Sequence, residues 1–454
     1  MTVPPTIAPV PSRFVVPVRK RDVELGTSFM VMPFRLTIRV IVLAIITITL
    51  DNLLQDRYDH LPKYIRMSAD DAKTVLATLA GGSITVVALV VSLMMVVLSL
   101  VAANFGPRII LNFVRRRTTQ TAIGSFVAVF VYSLVTLATV FSGAGEDFAP
   151  VISTWTAVVI VLLATALLVL FIEDISRSIQ VGNMLTEIAT DLTAAIARQR
   201  ELARRAVSST ALDVDTTTWV PVNSRFTGYV QRIDFDALIE VARRNDCVIR
   251  LEHRSGAFLN TGRPMAVVSR PLSPGDEDLV RAAIIRGSHR TMEQDLEYAI
   301  AQYVEIALRA MSPAVNDPAT TISCIDWIGD ALLALAEEPI GTAAFADASG
   351  ATRVLVPANS LCRVIAAGFN EIRQHACGAP AVAIRMLLTI AKVVPAVSER
   401  DALDELESQA EAITFAATAA AVVQRDRDDI LAARAKVTAA LAAAPDDQPP
   451  NDAP

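Results

Sequence analysis

The middle of the sequence has no lysine, since none occurs between Thr74 and Ala391. A lysine is required for Schiff-base chemistry, for a swinging-arm cofactor and for a P-loop. The sequence therefore excludes these three kinds of site over most of the chain.

Histidine and cysteine are also scarce, and their spacing fits no metal site. The four histidines are His60, His253, His289 and His375, and the four cysteines are Cys247, Cys324, Cys362 and Cys377. No CxxC pair occurs, so free thiols in a reducing compartment are predicted. No HExxH helix or GxSxG elbow is present, and we expect no metal, no cofactor and no enzymatic activity.

Charged residues are absent from three long stretches, residues 74–107, 118–145 and 148–172. The chain is 53% hydrophobic with a mean hydropathy of +0.44. About 20 apolar helical residues cross a bilayer core, so each stretch is long enough to span. Four transmembrane helices are predicted, at Leu36–Leu54, Val75–Ala103, Gln120–Phe141 and Val151–Ile172. In the first, Arg39 and Asp51 bracket only a short wholly apolar core.

Arginine is concentrated before the first span, between spans two and three, and after span four. Positively charged loops remain on the cytoplasmic side, so both termini are predicted to be cytoplasmic. Arg115, Arg116 and Arg117 fit this anchoring role, and the alternative is contact with anionic lipid headgroups. The net charge of -6 argues against a nucleic-acid partner.

The predicted fold is an α-helical integral membrane protein with a mostly α cytoplasmic domain that contains a small β-sandwich-like module. The segments "TGYVQRID", "CVIRLEH" and "PMAVVSR" have strand-like patterns, with a helix at Asp236–Arg244 between the first two. The predicted divisions are a disordered tail (1–34), the membrane domain (35–173), a helical stalk (174–212), the β module (213–275), a helical domain (276–444) and a second tail (445–454).

In the second span, Thr78, Thr85, Ser92 and Ser99 recur every seven residues, and Asn104 follows near the end. A seven-residue repeat keeps one helix face towards a neighbour, and small or hydroxyl-bearing residues favour close helix contacts. One interpretation is packing within a single subunit. The other is a hydroxyl-lined pathway at the centre of a homo-oligomer.

The densest polar cluster follows the β module. Arg290, Asp295, Asn316, Asp317 and Thr320 are candidates to converge on a small ligand. The simpler interpretation is two helix caps and a surface ion pair, because Asp295 and Asp317 each precede a helical pattern.

Five segments carry a family resemblance: the run from Gly81 to Arg117, "SRSIQV", "TGYVQRID", "RTMEQDLEYAI" and "ALRAMSPAVNDPATT". Together they resemble the bacterial membrane proteins of the domain of unknown function 2254 family, over about Arg35–Arg385. The sequence departs from the family pattern at Leu93–Met95, Gly106 and Ala314. The resemblance implies an inner-membrane protein and assigns no reaction.

Two functional hypotheses remain. The first is an oligomeric channel or transporter-like protein, gated by its cytoplasmic domain and passing an ion or small molecule. The second is a membrane-anchored sensor or scaffold that binds a ligand or protein without transport. Membrane lipid and further copies of the chain are the expected partners in either case.

Overall fold

The computed structural model describes residues 31–54, 67–105, 117–141, 149–178, 181–207, 217–337, 344–357 and 360–444. The chain separates into two compact units. The first comprises residues 1–103 and 107–177, and the second comprises residues 104–106 and 178–454.

Among its described residues, the first unit consists of four long helices. They are α1 (Val31–Leu54), α2 (Ala69–Phe105), α3 (Arg117–Phe141) and α4 (Val151–Ser178). Their lengths of 24 to 37 residues correspond to about 36 to 56 Å. Each contains one predicted span and is apolar enough to cross a membrane. Each of the four predicted spans therefore lies within a long apolar helix.

Helix α3 is the most buried of the four, and the others pack against it. The Tyr132 ring contributes to a core with Ala44 of α1, Leu76 of α2 and Ala157 of α4. Helices α1 and α3 approach closely at Gly124, where an added Cβ would lie 2.9 Å from Pro33 Cα. A glycine is needed here because a larger side chain would push the two helices apart.

Large aliphatic side chains remain exposed on the outer faces of this unit. Examples are Val42, Ile45 and Ile46 on α1, Leu89, Met95 and Val96 on α2, and Val159, Leu162 and Leu163 on α4. A helix that is apolar on its outward face as well as its inward face fits a lipid environment. The composition of the exposed surface thus agrees with a membrane-embedded unit.

Among its described residues the second unit contains nine α-helices, one 3-10 helix (Val394–Ala396) and nine strands. Its helices are α5 (Val181–Arg204), α6 (Phe235–Arg244), α7 (Pro274–Ala283), α8 (Leu296–Ala310), α9 (Pro318–Ala336), α10 (Leu361–Ala376), α11 (Pro380–Val393), α12 (Arg400–Ala420) and α13 (Gln424–Ala442). Its strands are β1 (Ala206–Val207), β2 (Val220–Asn223), β3 (Gly228–Ile233), β4 (Ile249–Leu251), β5 (Phe258–Leu259), β6 (Pro264–Val268), β7 (Ile284–Gly287), β8 (Ala344–Ala346) and β9 (Thr352–Leu355).

The strands form two sheets. The larger has the order β1-β8-β9-β4-β6-β2 and the smaller the order β5-β3-β7. Neighbouring strands are antiparallel except for β4 and β9, which are parallel. The strands share one hydrophobic core with helices α6 and α7, which contribute Leu238 and Val280. In this core the Phe235 and Phe345 rings stack with their centroids 4.5 Å apart.

The strands β3, β4 and β6 and the helix α6 coincide with the predicted pattern, but the β module is larger than predicted and is not a simple sandwich. Strands β7, β8 and β9 come from the region predicted to be helical, 276–444, and two helices complete the core. These strands have only three or four residues each, too few for a period-2 pattern to emerge. The β4–β9 pair joins residues about 100 positions apart, which local patterning cannot predict.

The prediction of four apolar spanning helices also needs correction, because five helices meet the length and composition of a span. The fifth is α9, with 19 residues. It lies in the second unit, where Cys324, Ile325, Ile328 and Leu332 are fully buried. It packs against α8 and α11. Such enclosure by other helices is typical of the central helix of a domain.

Helix α5 lies within the predicted stalk, 174–212. It belongs to the second unit and packs along its length on other helices of that unit. Its buried side chains, including Leu185, Ile188, Leu192 and Ile196, recur at helical spacing and contact α8 and α9. The Tyr303 hydroxyl of α8 donates a hydrogen bond to the Leu185 carbonyl over 3.2 Å. The helix that follows α4 in the chain is thus held by the second unit.

Candidate functional site

The predicted hydroxyl stripe lies along one face of α2. Thr78, Thr85, Ser92 and Ser99 are all exposed in the single chain, as are Gly81 and Ala88 beside them. The buried side of α2 carries a different set of residues, including Leu76, Ala80, Val90, Met94 and Val97. The stripe therefore makes no buried packing contact with the other described helices of its own chain.

Three of the four stripe hydroxyls bond to their own helix. Thr78, Thr85 and Ser99 each donate to the carbonyl oxygen four residues earlier, over 2.7 to 3.0 Å. A hydroxyl satisfied in this way is compatible with lipid, with a neighbouring helix or with water. Asn104 belongs to the last turn of α2, and the position of its side chain lies outside the described residues.

A second polar feature of the first unit is Asp51, which is fully buried near the end of α1. Its carboxylate accepts hydrogen bonds from the Ile152 and Ser153 amides over 2.8 and 2.9 Å, and from the Ser153 hydroxyl over 2.6 Å. These amides belong to the first turn of α4. Asp51 of α1 therefore caps the start of α4. A negative charge is stabilising there, because the N-terminus is the positive end of the helix dipole.

Polar contacts extend from this cap into the core. Tyr132 of α3 is fully buried; its hydroxyl donates to the Ser153 carbonyl over 3.1 Å and lies 2.8 Å from the Thr47 hydroxyl of α1. Next to Tyr132 along α3, the hydroxyls of Ser133 and Thr136 are buried without a hydrogen-bond partner among the described residues. Three helices thus meet through polar side chains.

In the sequence, Asp51 marks only the end of the short apolar core of the first span. A more general signal was available, because an ionisable residue within an apolar helix is costly and is retained for a specific contact. The partner could not be predicted, since Ser153 lies 102 residues away. Three arginines were predicted to anchor the cytoplasmic side, with contact to lipid headgroups as the alternative. Arg115 and Arg116 lie outside the described residues, and Arg117 begins α3 with an exposed side chain.

In the second unit, Arg290 and Asp295 form one closed arrangement. The Arg290 guanidinium donates to both carboxylate oxygens of Asp295, over 2.7 and 2.8 Å. The same carboxylate accepts from the Tyr298 amide over 3.1 Å and so caps α8. Gly256 packs against it with φ of +84°, and an added Cβ would lie 2.0 Å from Asp295 Oδ2.

Asn316, Asp317 and Thr320 form a separate turn before α9. Asn316 is exposed and has a left-handed backbone with φ of +44°. The Asp317 carboxylate accepts from the Thr320 amide over 3.1 Å and from its hydroxyl over 2.5 Å. The hydrogen bond from the Thr320 hydroxyl, together with that from its amide, lowers the pKa of Asp317.

The five predicted ligand residues do not converge. Asp295 precedes the first turn of α8, whereas the Asp317 amide bonds to the Ala310 carbonyl at the last turn. The 15 residues between them span about 22 Å, so the two groups lie at opposite ends of α8. The prediction of one shared ligand site needs correction. Asp295 and Asp317 cap two different helices, α8 and α9, and are close only in sequence.

Taken together, the four long apolar helices, their aliphatic outer surface and the polar contacts that join them are the features of a multi-pass α-helical membrane protein. The chain belongs to the family described as predicted membrane protein (DUF2254), whose model matches residues 26–392. Helices α12 and α13 lie beyond the matched range.

Two mycobacterial proteins are among its relatives. An uncharacterized protein of Mycobacterium bovis and one of Mycobacterium tuberculosis are each 25% identical to the chain over 378 residues. Each alignment covers 81% of this chain and 72% of the relative. No solved structure matches the chain.

Proposed function

We propose that the protein is an oligomeric channel or transporter-like protein of the cell inner membrane, in which α2 of each copy lines a shared pathway. Both termini are cytoplasmic in this proposal, as the arginine distribution favours. The protein acts on an ion or small molecule without an enzymatic reaction and without a nucleic-acid partner.

The observation that carries this proposal is the separation of the two faces of α2. Its apolar face is buried against the other helices, whereas all four stripe hydroxyls are exposed. Thr78 and Ser99 lie 21 positions apart, which corresponds to about 32 Å of helix and matches the thickness of a bilayer core. In this proposal the hydroxyl face meets the same face of another copy, or water.

Gating by the second unit is supported by the way α5 is held. Arg200 of α5 donates to the Ala334 carbonyl of α9 over 2.7 Å and pairs with Glu337. Arg198 donates to the Glu293 carbonyl over 3.1 Å. A change in this unit would act on α5, the next helix in the chain after α4.

The test compares Ser92 with its neighbour Leu93, which is 44% exposed and points about 100° away around the helix. Ser92→Asp and Leu93→Asp place the same charge at the same depth. A carboxylate in hydrocarbon costs about 2.5–3.5 kcal/mol on insertion scales and far less in water. We expect Ser92→Asp to assemble and to change ion selectivity in liposomes, and Leu93→Asp to lose membrane insertion or stability.

Disulfide formation provides a second measurement. Ser92→Cys should cross-link two copies in native membranes, whereas Leu93→Cys should not. Wild-type protein without flux of any ion tested, together with equal damage by the two aspartates, would contradict the pathway. Ser92→Leu supplies an uncharged check, because its added bulk in the lumen should reduce flux through dewetting while the oligomer survives.

A second candidate is a membrane-anchored sensor or scaffold without transport. It is favoured by the extended contact between α5 and the other helices of the second unit. A ligand or protein bound to this unit would act on α5 through that contact, and no pore would be needed. Cross-linking through Ser92→Cys in the absence of flux would favour this candidate over the first.

A further inference from the structure

The second unit ends in a helical hairpin whose turn carries exposed apolar side chains. The hairpin consists of α12 and α13, joined by residues 421–423. Phe415 is 79% exposed and Val422 is 91% exposed, although both are large apolar residues. Single exposed apolar residues are common, whereas a group of them at one place marks an interaction surface. We define the hairpin tip as the four exposed residues Phe415, Ala419, Val422 and Val423.

The Phe415 ring points away from the core of the second unit. Ile413 and Ala417, two positions before and after it, are buried. Two positions correspond to about 200° around a helix, so Phe415 lies on the opposite face of α12. Val422 is seven positions from Phe415, which is about 10 Å at the helical rise. The residues of the tip are therefore close together at one end of the hairpin.

Helix α12 is acidic beside this tip. Its five acidic residues against one basic residue give a net charge of -4. Two of the carboxylates form ion pairs, Asp404 with Arg400 and Glu407 with Arg434. Glu411 is exposed and lies one turn before Phe415 on the same face. A partner that combines an apolar run with basic residues would match this surface.

One segment outside the described residues has that complementary pattern. Residues 13–21 read RFVVPVRKR, in which an apolar run from Phe14 to Val18 precedes three basic residues, 19–21. In extended form Phe14 and Arg19 are about 17 Å apart. Val422 and Glu411 are eleven positions apart, about 16 Å at the helical rise. The apolar run can thus contact the tip while the basic residues lie beside the carboxylates.

This segment lies on the same side of the membrane as the second unit in the proposed topology. It precedes α1, whereas the second unit follows α4, so four crossings separate them and an even number returns the chain to the same side. Residues 22–30 join the segment to α1 and can extend about 30 Å. The two-residue connection from α4 to α5 begins the second unit close to the same membrane surface.

Other occupants of the hairpin tip are disfavoured by charge. A second copy of the same surface would bring two acidic helices together, and like charges across an interface repel. Anionic lipid headgroups would be repelled in the same way. The hairpin and residues 13–21 also both lie outside the range 26–392 that the family model matches. A contact between them would join two parts that this chain adds to the matched region.

We propose that the hairpin tip and the acidic face of α12 bind residues 13–21 of the N-terminal tail. The apolar run lies against Phe415 and Val422, and the basic residues lie beside Glu411. The contact connects the start of α1 to the second unit, in addition to the connection from α4 to α5. It rests on the topology of the proposed function and does not require the pathway.

Photo-cross-linking in the full chain identifies the occupant directly. The amino acid p-benzoylphenylalanine replaces Phe415, so that the ring is retained, and mass spectrometry locates the cross-linked peptide. Phosphatidylcholine nanodiscs are used because they offer no anionic lipid to the basic segment. We expect cross-links to residues 13–21. Leu279 is the matched control position, since it is an exposed apolar residue of α7 in the same unit, and the probe placed there should not reach the tail.

Exchange of a single charge pair tests the electrostatic part of the contact. Arg19→Glu and Glu411→Lys should each lower the cross-link yield about twofold to fivefold, because one exposed ion pair is replaced by a like-charge pair. The double variant should recover part of this loss. Asp330→Lys is the matched control, because Asp330 is an exposed carboxylate of α9 and its replacement changes the net charge equally.

Val16→Asp tests the apolar part, and it should lower the yield without removing a basic residue. Added salt should lower the wild-type yield as well, because exposed charges are screened. Circular dichroism and the melting temperature show which variants are folded, and only folded variants are compared.

Cross-links from position 415 to residues 106–116, to the hairpin of another copy or to lipid, in place of residues 13–21, would overturn the proposal. An unchanged yield in both Arg19→Glu and Glu411→Lys would do the same. Reporters at the two termini that lie on opposite sides of the membrane would reject the topology and this contact together. Termini on one side, with the expected cross-link but no flux of any ion, would reject the pathway and leave the contact standing.

Discussion

Replacement of Asp51 by alanine tests how the first unit is held together. In the wild type, this buried carboxylate accepts two amide hydrogen bonds and one hydroxyl hydrogen bond at the start of α4. Asp51→Ala removes all three acceptor contacts and leaves a small cavity. The freed Ile152 and Ser153 amides then lack an acceptor within the apolar core.

The size of the effect follows from these lost contacts. A buried donor left unsatisfied costs about 1–3 kcal/mol, so two amides give about 2–6 kcal/mol. Asp51→Asn retains one acceptor oxygen but turns an NH₂ group towards a donor. Its cost should be about half that of alanine. The matched control is Thr49→Ala, because Thr49 is exposed on the same helix and its hydroxyl donates to the Ile45 carbonyl of that helix.

The free energy of unfolding can be measured by denaturant titration of the full chain in detergent micelles. Trp219 and Trp327 are replaced by phenylalanine in every variant, so that the fluorescence reports Trp155 of α4. The expected order of stability is wild type and Thr49→Ala, then Asp51→Asn, then Asp51→Ala. A value for Asp51→Ala within about 0.5 kcal/mol of wild type would refute the role of this cap.

Three further outcomes are expected. Gly124→Leu should lower the free energy of unfolding by about 1–3 kcal/mol in the same titration, because its side chain would overpack the contact with Pro33. Asp317→Ala should cost the second unit about 1 kcal/mol at pH 7. Because the folded pKa of Asp317 is lowered by Thr320, this difference should be present above the unfolded pKa of about 3.9 and vanish as the pH falls through the folded pKa. Burial raises the pKa of Cys377 to about 11, so mass spectrometry should detect little alkylation of this thiol at pH 8 until the protein is unfolded.

The helices of the first unit could be predicted from the sequence because their signal is local. Charge-free apolar stretches predict a span without reference to any other part of the chain. The strand pattern of β3, β4 and β6 was also local. Strands β8 and β9 were missed because each is short and gains its partners from β1 and β4, far away in the sequence.

The candidate sites were harder to predict than the fold, because each depends on which side chains face each other. Proximity in sequence suggested that Arg290 and Asp317 would meet, but a 15-residue helix separates them. Conversely, nothing local joins Arg254 to Arg363, although both contact Glu297. Ion pairs of this kind follow from the packing of several elements and cannot be derived from spacing along one of them.

The two polar features of the first unit differ in where their hydrogen bonds go, and this difference bears on function. Asp51 and Tyr132 bond to other helices, so they stabilise one particular arrangement of α1, α3 and α4. Among the described contacts, the Thr78 and Thr85 hydroxyls donate only to carbonyls of α2 itself. Their hydrogen bonding therefore needs no partner from another described helix. A face of this kind can meet lipid, water or a second copy without disturbing the fold. The Asp51 cap is thus explained by its contacts within one chain. The seven-residue repeat of hydroxyls on α2 is not explained by any contact described within one chain.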